Sequence, residues 1–283
     1  MIADLHLHSS YSDGSDTVKE LLNQVIMSKV NIFALTDHDT VSGCKEMNDI
    51  VPSNLKFIPG VELTCREDDI KCHILGYGCD YNNKDLLSLI DKGKSLRREK
   101  LETRIEYLRT VWNIVLTEKE KEWLYSRKSV VKTHVANILV NRGLASNNVS
   151  AMKKYLDGCK TGNTRFTITE ALKSIISAGG IPVWAHPLGG EGEKHINEQE
   201  FLPKLEKMIT FGIKGLECFY SRYNSAEANF LAKCAEKNNL FITGGSDYHG
   251  TNKDIPIGRL DADDMQISAN MLSLLKMFDV NLI

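Results

Sequence analysis

The chain reads as an α/β protein: a barrel of βα units that carries one inserted, all-helical segment. Three observations predict this. Short apolar runs rich in β-branched residues alternate with amphipathic stretches, one central stretch breaks the alternation, and a His, Asp or Glu stands near the carboxyl end of almost every run. The 283 residues suit a barrel of about 250 residues with one insertion. A chain that is 42% hydrophobic and 25% charged is ordinary for a soluble globular enzyme and can bury a large core.

The predicted strands are Ile2–Leu7, Ile32–Leu35, Phe57–Leu63, Ile74–Tyr77, Ile181–Ala185, Gly215–Phe219 and Phe241–Thr243. Asp16 is placed to cap a helix from Val18 to Ser28, with Leu21, Leu22, Val25 and Ile26 on one face. Thr169 precedes a second helix that stops at the Gly179-Gly180 pair, and a third covers Ser225 to Lys237. Strands alternating with helices indicate a parallel sheet. From Lys84 to Arg165 the pattern is helical throughout, with segments at Leu86–Val111, Glu118–Tyr125, Val131–Arg142 and Met152–Leu156. The expected organisation is a discontinuous barrel, 1–83 and 166–283, with an insertion at 84–165 covering the active site.

Composition excludes several classes. Seven cysteines, odd in number and without a C-x-x-C pair, argue against a disulfide framework or a zinc ribbon and for a reducing compartment. The start MIADLHLHSS has no basic, apolar leader, and no apolar run reaches the roughly 18 residues of a membrane span. A cytoplasmic location is expected, with no membrane and no stable protein partner. The net charge of −2 is unevenly spread: residues 84–165 hold 18 Lys and Arg against 9 Asp and Glu, and the remainder 17 against 28. The insertion is thus suited to an anion and the rest to cations.

The polar residues cluster where a barrel puts its chemistry, at the carboxyl ends of strands and the loops that follow. They are His6 and His8, then Asp13 in YSDG, His38 in TDHDT, Glu62 in PGVEL, His73 in HILGY, His186 in AHP, and Asp247 and His249 in GSDYHG. Six of the eight histidines fall in this set. A His-x-His pair on a strand points both rings the same way. An isolated pair is weak evidence; the whole constellation is not. Mixed imidazole and carboxylate ligation without thiolate suits zinc, manganese or iron.

These motifs, in this order, resemble the signatures of the polymerase-and-histidinol-phosphatase (PHP) superfamily over nearly the full chain. The resemblance is nearest to stand-alone members that act on nucleoside 3′,5′-bisphosphates or trim RNA from the 5′ end. It implies a distorted (β/α)7 TIM-like barrel and three divalent ions (Mn2+, Fe2+ or Zn2+). His6, His8, Glu62 and Asp247 would hold one, Glu62, His73 and His186 a second, and Asp13, His38 and His249 the third. It also implies a metal-bridging hydroxide as nucleophile, with Asp13, Glu62, Asp247 and His249 carrying the catalysis. In VVKTHVANIL, Lys132 stands where the family has an arginine and His134 is kept; lysine keeps the charge and loses the bidentate fork. Arg97 or Arg98 on the first insertion helix is a further phosphate-clamp candidate.

The resulting expectation is a metal-dependent phosphoesterase for a small phosphate ester or short RNA. Three alternatives compete. A phosphatase or cyclic phosphodiesterase for a sugar or metabolite phosphate keeps the same metal chemistry. A non-catalytic accessory module would have lost ligands, whereas all nine are here. A zinc amidohydrolase usually needs a ligating lysine that the sequence does not place.

Overall fold

A computed structural model describes residues 1–127, 129–161, 165–259, 265–266 and 268–278. Seven strands lie side by side in chain order: β1 (Ala3–Leu7), β2 (Ile32–Leu35), β3 (Lys56–Glu67), β4 (Ile70–Tyr77), β5 (Ile181–Trp184), β6 (Gly215–Tyr220) and β7 (Phe241–Gly245). The sheet curls until its edges meet. Leu7 bridges to Tyr248, and the His8 N–H donates to the Tyr248 carbonyl at 3.0 Å. The result is a nearly closed, distorted barrel with a buried apolar lining.

The sheet is not wholly parallel, contrary to the sequence expectation. β1–β3 and β5–β7 run parallel, but β4 is antiparallel to both neighbours. The cause is a short connection. β3 continues to Glu67 and only Asp68 and Asp69 separate it from β4, far fewer than the dozen or more residues a parallel crossover needs. Reversal brings the amino-terminal half of β4 to the barrel end where the other strands have their carboxyl ends. His73 therefore reaches that mouth from early in its strand.

Helices α1 (Val18–Met27), α2 (Ser42–Ile50), α7 (Ile168–Ser177), α8 (Glu198–Phe211) and α9 (Ser225–Lys237) belong to the barrel. Two caps differ from expectation by one or two residues. Thr17 caps α1 in a reciprocal box with Glu20, while Asp16 accepts from the Tyr248 hydroxyl at 2.7 Å. Thr167 caps α7 with Glu170, and Thr169 instead donates to Glu67. Helices α2 and α8 were not anticipated. Val41 gives α2 no side-chain cap, and α8 holds Pro203 in its interior, where proline normally argues against helix.

The inserted segment comprises α3 (Lys84–Trp112), α4 (Glu118–Tyr125), α5 (Lys132–Asn141) and α6 (Asn148–Ala151), which continues into one π-turn, Met152–Leu156. It has its own core of Leu101, Leu108, Leu124, Val135, Leu139 and Tyr155 among others. The first turns of α3 behave differently: Leu86, Leu89 and Ile90 pack into the barrel core beside Phe166. One long helix thus ties the two cores together. Among the described residues no helix is long and apolar enough to cross a membrane, and all seven cysteines are free thiols.

Candidate metal centre

Strand alternation builds the floor of the barrel mouth. In β1 the apolar Leu5 and Leu7 alternate with Asp4, His6 and, just beyond, His8, so the polar groups share a face; all of them are buried. The loops after β2, β5 and β7 deliver His38, His186, Asp247 and His249 to the same place, and β3 and β4 supply Glu62 and His73. Asp39, His186 and Asp247 adopt positive φ of 48°, 28° and 58°. Such left-handed backbone is costly for these residues and concentrates at functional sites.

Glu62 is the hub. Its Oε2 lies 3.3 Å from His6 Nε2, 3.2 Å from His8 Nε2 and 3.0 Å from His38 Nδ1. Its Oε1 lies 2.9 Å from His73 Nδ1 and 3.2 Å from His186 Nε2. Asp247 Oδ1 is 3.3 Å from His8 Nε2 and 3.6 Å from His6 Nε2. Asp13 Oδ1 is 3.1 Å from His249 Nε2. All nine residues singled out from the sequence converge in this one cluster.

The spacing fits cations. Two donors each about 2.1 Å from one ion, at angles of about 90–110°, lie about 3.0–3.4 Å apart. His6 Nε2, His8 Nε2, His38 Nδ1, Asp13 Oδ1 and Glu62 Oε2 are buried and accept or donate no hydrogen bond. Buried polar atoms are nearly always paired, so five orphans aimed at each other leave room for cationic partners. Three groups have donor atoms close enough to share an ion: His8, Asp13, His38 and His249; His6, His8 and Asp247; and His38, Glu62 and His73. These differ from the sets the resemblance implied: His8 also joins the Asp13 group, Glu62 is not grouped with His6, His8 and Asp247, and His38 takes the place of His186 beside Glu62 and His73.

Without an ion, electrostatics keeps the carboxylates and His8 in ligating form, whereas, against burial, Glu217 raises His6, Glu62 raises His38 and Glu193 raises His186 to about 10. Burial alone would raise the Glu62 and Asp247 carboxyls. The imidazoles of His38, His73 and His6 around Glu62, and Lys253 with His6 and His249 around Asp247, hold both well below the usual carboxylate range. Burial, aided by His249, pushes His8 down to about 4, leaving a neutral ring with a lone pair to offer.

Several further residues support the cluster, and of these Glu217, Asp4 and Lys253 are not marked by the sequence motifs. Glu217, fully buried in β6, accepts from His6 Nδ1 at 2.8 Å through one oxygen and from the His186 backbone N–H at 2.7 Å through the other. A carboxylate behind a ligating imidazole fixes its tautomer and aim. Asp4 accepts the backbone N–H groups of Ser246 (2.9 Å) and Gly258 (2.8 Å), pinning the β1–β7 seam. Asp37 orients no imidazole directly; it accepts from Ser9 and Ser12 and so braces the loop that follows β1. On Asp247, Oδ2 is taken by the Tyr220 hydroxyl (2.9 Å) and the Lys253 ammonium (2.7 Å), which leaves Oδ1 toward the histidines. A readable signal exists for Glu217, a lone acid inside the otherwise uncharged strand GLECFY.

Above the cluster lies an open cleft of about 520 Å³, walled on one side by the insertion. Lys132, Lys153 and Lys253 line it together with Asn252, Met152 and Val149. Lys132 pairs with Asp157 across the wall. His134 sits behind the wall, buried, with Nδ1 accepting the Val131 N–H at 3.1 Å, and burial drives its ring down to about 4. Arg97 and Arg98 do not line this cleft. Arg97 is held by Asp39 and by Thr64 Oγ1, and Arg98 lies over the Tyr125 ring.

Similarity to known proteins agrees with this geometry. A phosphoribosyl 1,2-cyclic phosphate 1,2-diphosphodiesterase from Eggerthella lenta is 27% identical over 263 residues, 90% of this chain and 97% of that protein. The Escherichia coli 5′-3′ exoribonuclease Rnm is 27% identical over 92% of this chain and 89% of its own length. A 3′,5′-nucleoside bisphosphate phosphatase from Chromobacterium violaceum is 26% identical over 87% and 86%. Among solved structures, a Bifidobacterium adolescentis protein, assigned by inference as a metal-dependent phosphoesterase, shares the fold with a TM-score of 0.78 at 23% identity, covering 93% of each chain. The PHP domain model matches residues 4–168, more than half of the chain, and the protein belongs to the PHP domain family.

Proposed function

We propose that this chain hydrolyses phosphate esters of nucleotides, acting on nucleoside 3′,5′-bisphosphates or the 5′ end of short RNA, with divalent cations in the histidine–carboxylate cluster. The observation that carries the reading is the set of five unpartnered buried donor atoms at the base of a lysine-rimmed cleft. Three ions are proposed: one on His6, His8, Glu62 and Asp247, one on Glu62, His73 and His186, one on Asp13, His38 and His249. Manganese, iron or zinc suits such donors. When bound, these ions acidify water toward neutrality and offset charge on phosphoryl oxygens.

The chain's own residues do the rest. Glu217 aims His6 and tethers the His186 backbone, so two ligands share one brace. Tyr220 and Lys253 immobilise Asp247. Lys132 and Lys153 on the insertion face the cluster across the cleft, where they orient a phosphate and balance its charge. The cleft of about 520 Å³ lies within the range of pockets that take a nucleotide-sized ligand.

A second reading, hydrolysis of a cyclic sugar phosphate, is favoured by the likeness to the Eggerthella lenta enzyme, which covers 97% of that protein. The test is phosphate release and product analysis by manganese-reconstituted protein on adenosine 3′,5′-bisphosphate, a 5′-phosphorylated RNA trimer, a cyclic ribose phosphate and histidinol phosphate. Preference for the first two supports the nucleotide assignment. Preference for the cyclic ester or histidinol phosphate overturns it while keeping the metal centre.

A further inference from the structure

A second pocket of about 390 Å³ opens between α3 and the α4–α5 connection. Lys94, Arg97, Arg98 and Arg127 line it over a floor that includes Leu101 and Tyr125, and no carboxylate lines it. Arg97 is the back wall, already held by Asp39 on its far side. The other cations are less committed. Among the described residues Arg98 makes one hydrogen bond, to the Tyr125 carbonyl at 3.2 Å, with its guanidinium 4.7 Å from that ring's centroid. Arg127 lies 5.0 Å from the Trp123 ring centroid, and its buried Nε has no hydrogen-bond partner among the described residues. Among the described residues Lys94 pairs only with exposed Asp91 on its own helix. Asp39 and Asp91 offset two of these cations, which, among the described residues, leaves Arg98 and Arg127 without a carboxylate partner and the cavity suited to an anion.

This pocket shares a wall with the catalytic cleft. Ser126, Arg127 and Val130 face the pocket, and Lys132 and Thr133 face the cleft. Five residues of chain span at most about 17 Å, which bounds the backbone separation of Arg127 in the pocket and Lys132 in the cleft. An anion confined to the cleft would never reach the second pocket. A chain of phosphates would reach both, and arginine planes beside an aromatic ring also suit stacked bases.

We infer that the second pocket is a polyanion subsite, taking a backbone phosphate of a single-stranded oligonucleotide whose 5′ end lies in the catalytic cleft. The inference rests on the phosphoesterase reading and narrows its substrate toward short RNA over mononucleotides. Each phosphate contact on a single strand contributes a salt slope of about −0.7, or about fivefold in affinity at 0.1 M salt. Losing Arg98 and Arg127 together removes the one phosphate contact, weakening binding by about fivefold and flattening the slope by about 0.7.

The experiment uses manganese-loaded protein and 5′-phosphorylated RNA from two to six nucleotides, with adenosine 3′,5′-bisphosphate as the short control. For the wild type, KM falls with length and rises steeply with salt for the longer RNAs. In Arg98→Ala/Arg127→Ala that length advantage disappears, and the hexamer's fluorescence anisotropy reports the weaker binding without turnover. Lys94→Ala, a change on an exposed side chain, gives a smaller loss of the same kind. A KM independent of length, with the bisphosphate still hydrolysed, overturns the subsite and leaves the phosphoesterase reading intact. Absence of hydrolysis of every substrate, with hexamer binding still sensitive to the arginines, sinks the activity and retains the subsite.

Discussion

Replacing Glu217 with glutamine keeps the shape of the side chain and removes its charge, and the structure predicts a specific failure. Glu217 accepts two hydrogen bonds, from the His186 backbone N–H at 2.7 Å and from His6 Nδ1 at 2.8 Å. A glutamine has one acceptor and one donor end. The backbone N–H can only donate, so the amide oxygen must stay with His186 and the NH2 must face His6. His6 Nδ1 then becomes the acceptor, which places its proton on Nε2, the atom facing Glu62 and Asp247. A protonated Nε2 cannot ligate. Losing one charge-assisted bond costs about 1.5–3 kcal/mol, or about 10- to 150-fold, in line with the 10- to 100-fold that outer partners of metal ligands are typically worth. The assay is manganese and zinc affinity by titration calorimetry, with 15N NMR of the His6 ring to read the tautomer. Melting of the metal-free protein should fall as well, because the buried Glu217–His6 bond is lost there too, so metal affinity is read from the titration and not from stability. Wild-type metal affinity in Glu217→Gln, or an unchanged tautomer, would refute the reasoning.

Other substitutions and conditions test neighbouring links. His8→Ala or Asp247→Ala should lower turnover by orders of magnitude and reduce bound metal, with the circular dichroism spectrum unchanged. Lys253→Met removes the cation on Asp247 Oδ2 and should lower kcat/KM by about 10- to 100-fold; an unchanged rate would assign Lys253 a purely structural part. Lys132→Ala should raise KM by about three- to tenfold with kcat retained, read as phosphate release. Metal at 100 times its dissociation constant should stabilise the fold by about 2.7 kcal/mol, a rise in Tm of about 5–10 °C that a chelator reverses; a Tm indifferent to metal would argue against a site built into the native core.

The sequence exposed the metal-type residues with little ambiguity, since each of the nine stands beside a short apolar run and strand alternation and barrel topology send them to one mouth. It concealed what depends on long-range pairing. The antiparallel turn of β4 is set by a two-residue hairpin loop, Asp68-Asp69, and that shortness became visible only once β3 was seen to run on to Glu67. Helix α8 hid behind Pro203. Glu217 and Lys253 act through partners 211 and 6 residues away, His6 and Asp247; no local pattern announces either contact, although an acid alone in GLECFY was a clue. The arginines singled out on α3 share one helical stretch, yet the structure seats them around a second pocket and not in the cleft above the histidine–carboxylate cluster, a distinction that periodicity cannot make.

The most direct test of the account is the rate of phosphate release from adenosine 3′,5′-bisphosphate by protein stripped with a chelator and then titrated with manganese. The account predicts no release from the stripped protein and activity that climbs with added metal to a plateau, an increase absent in His8→Ala. A rate that survives chelation, or a metal response unchanged by His8→Ala, would contradict the claim that the histidine–carboxylate cluster is a catalytic metal centre.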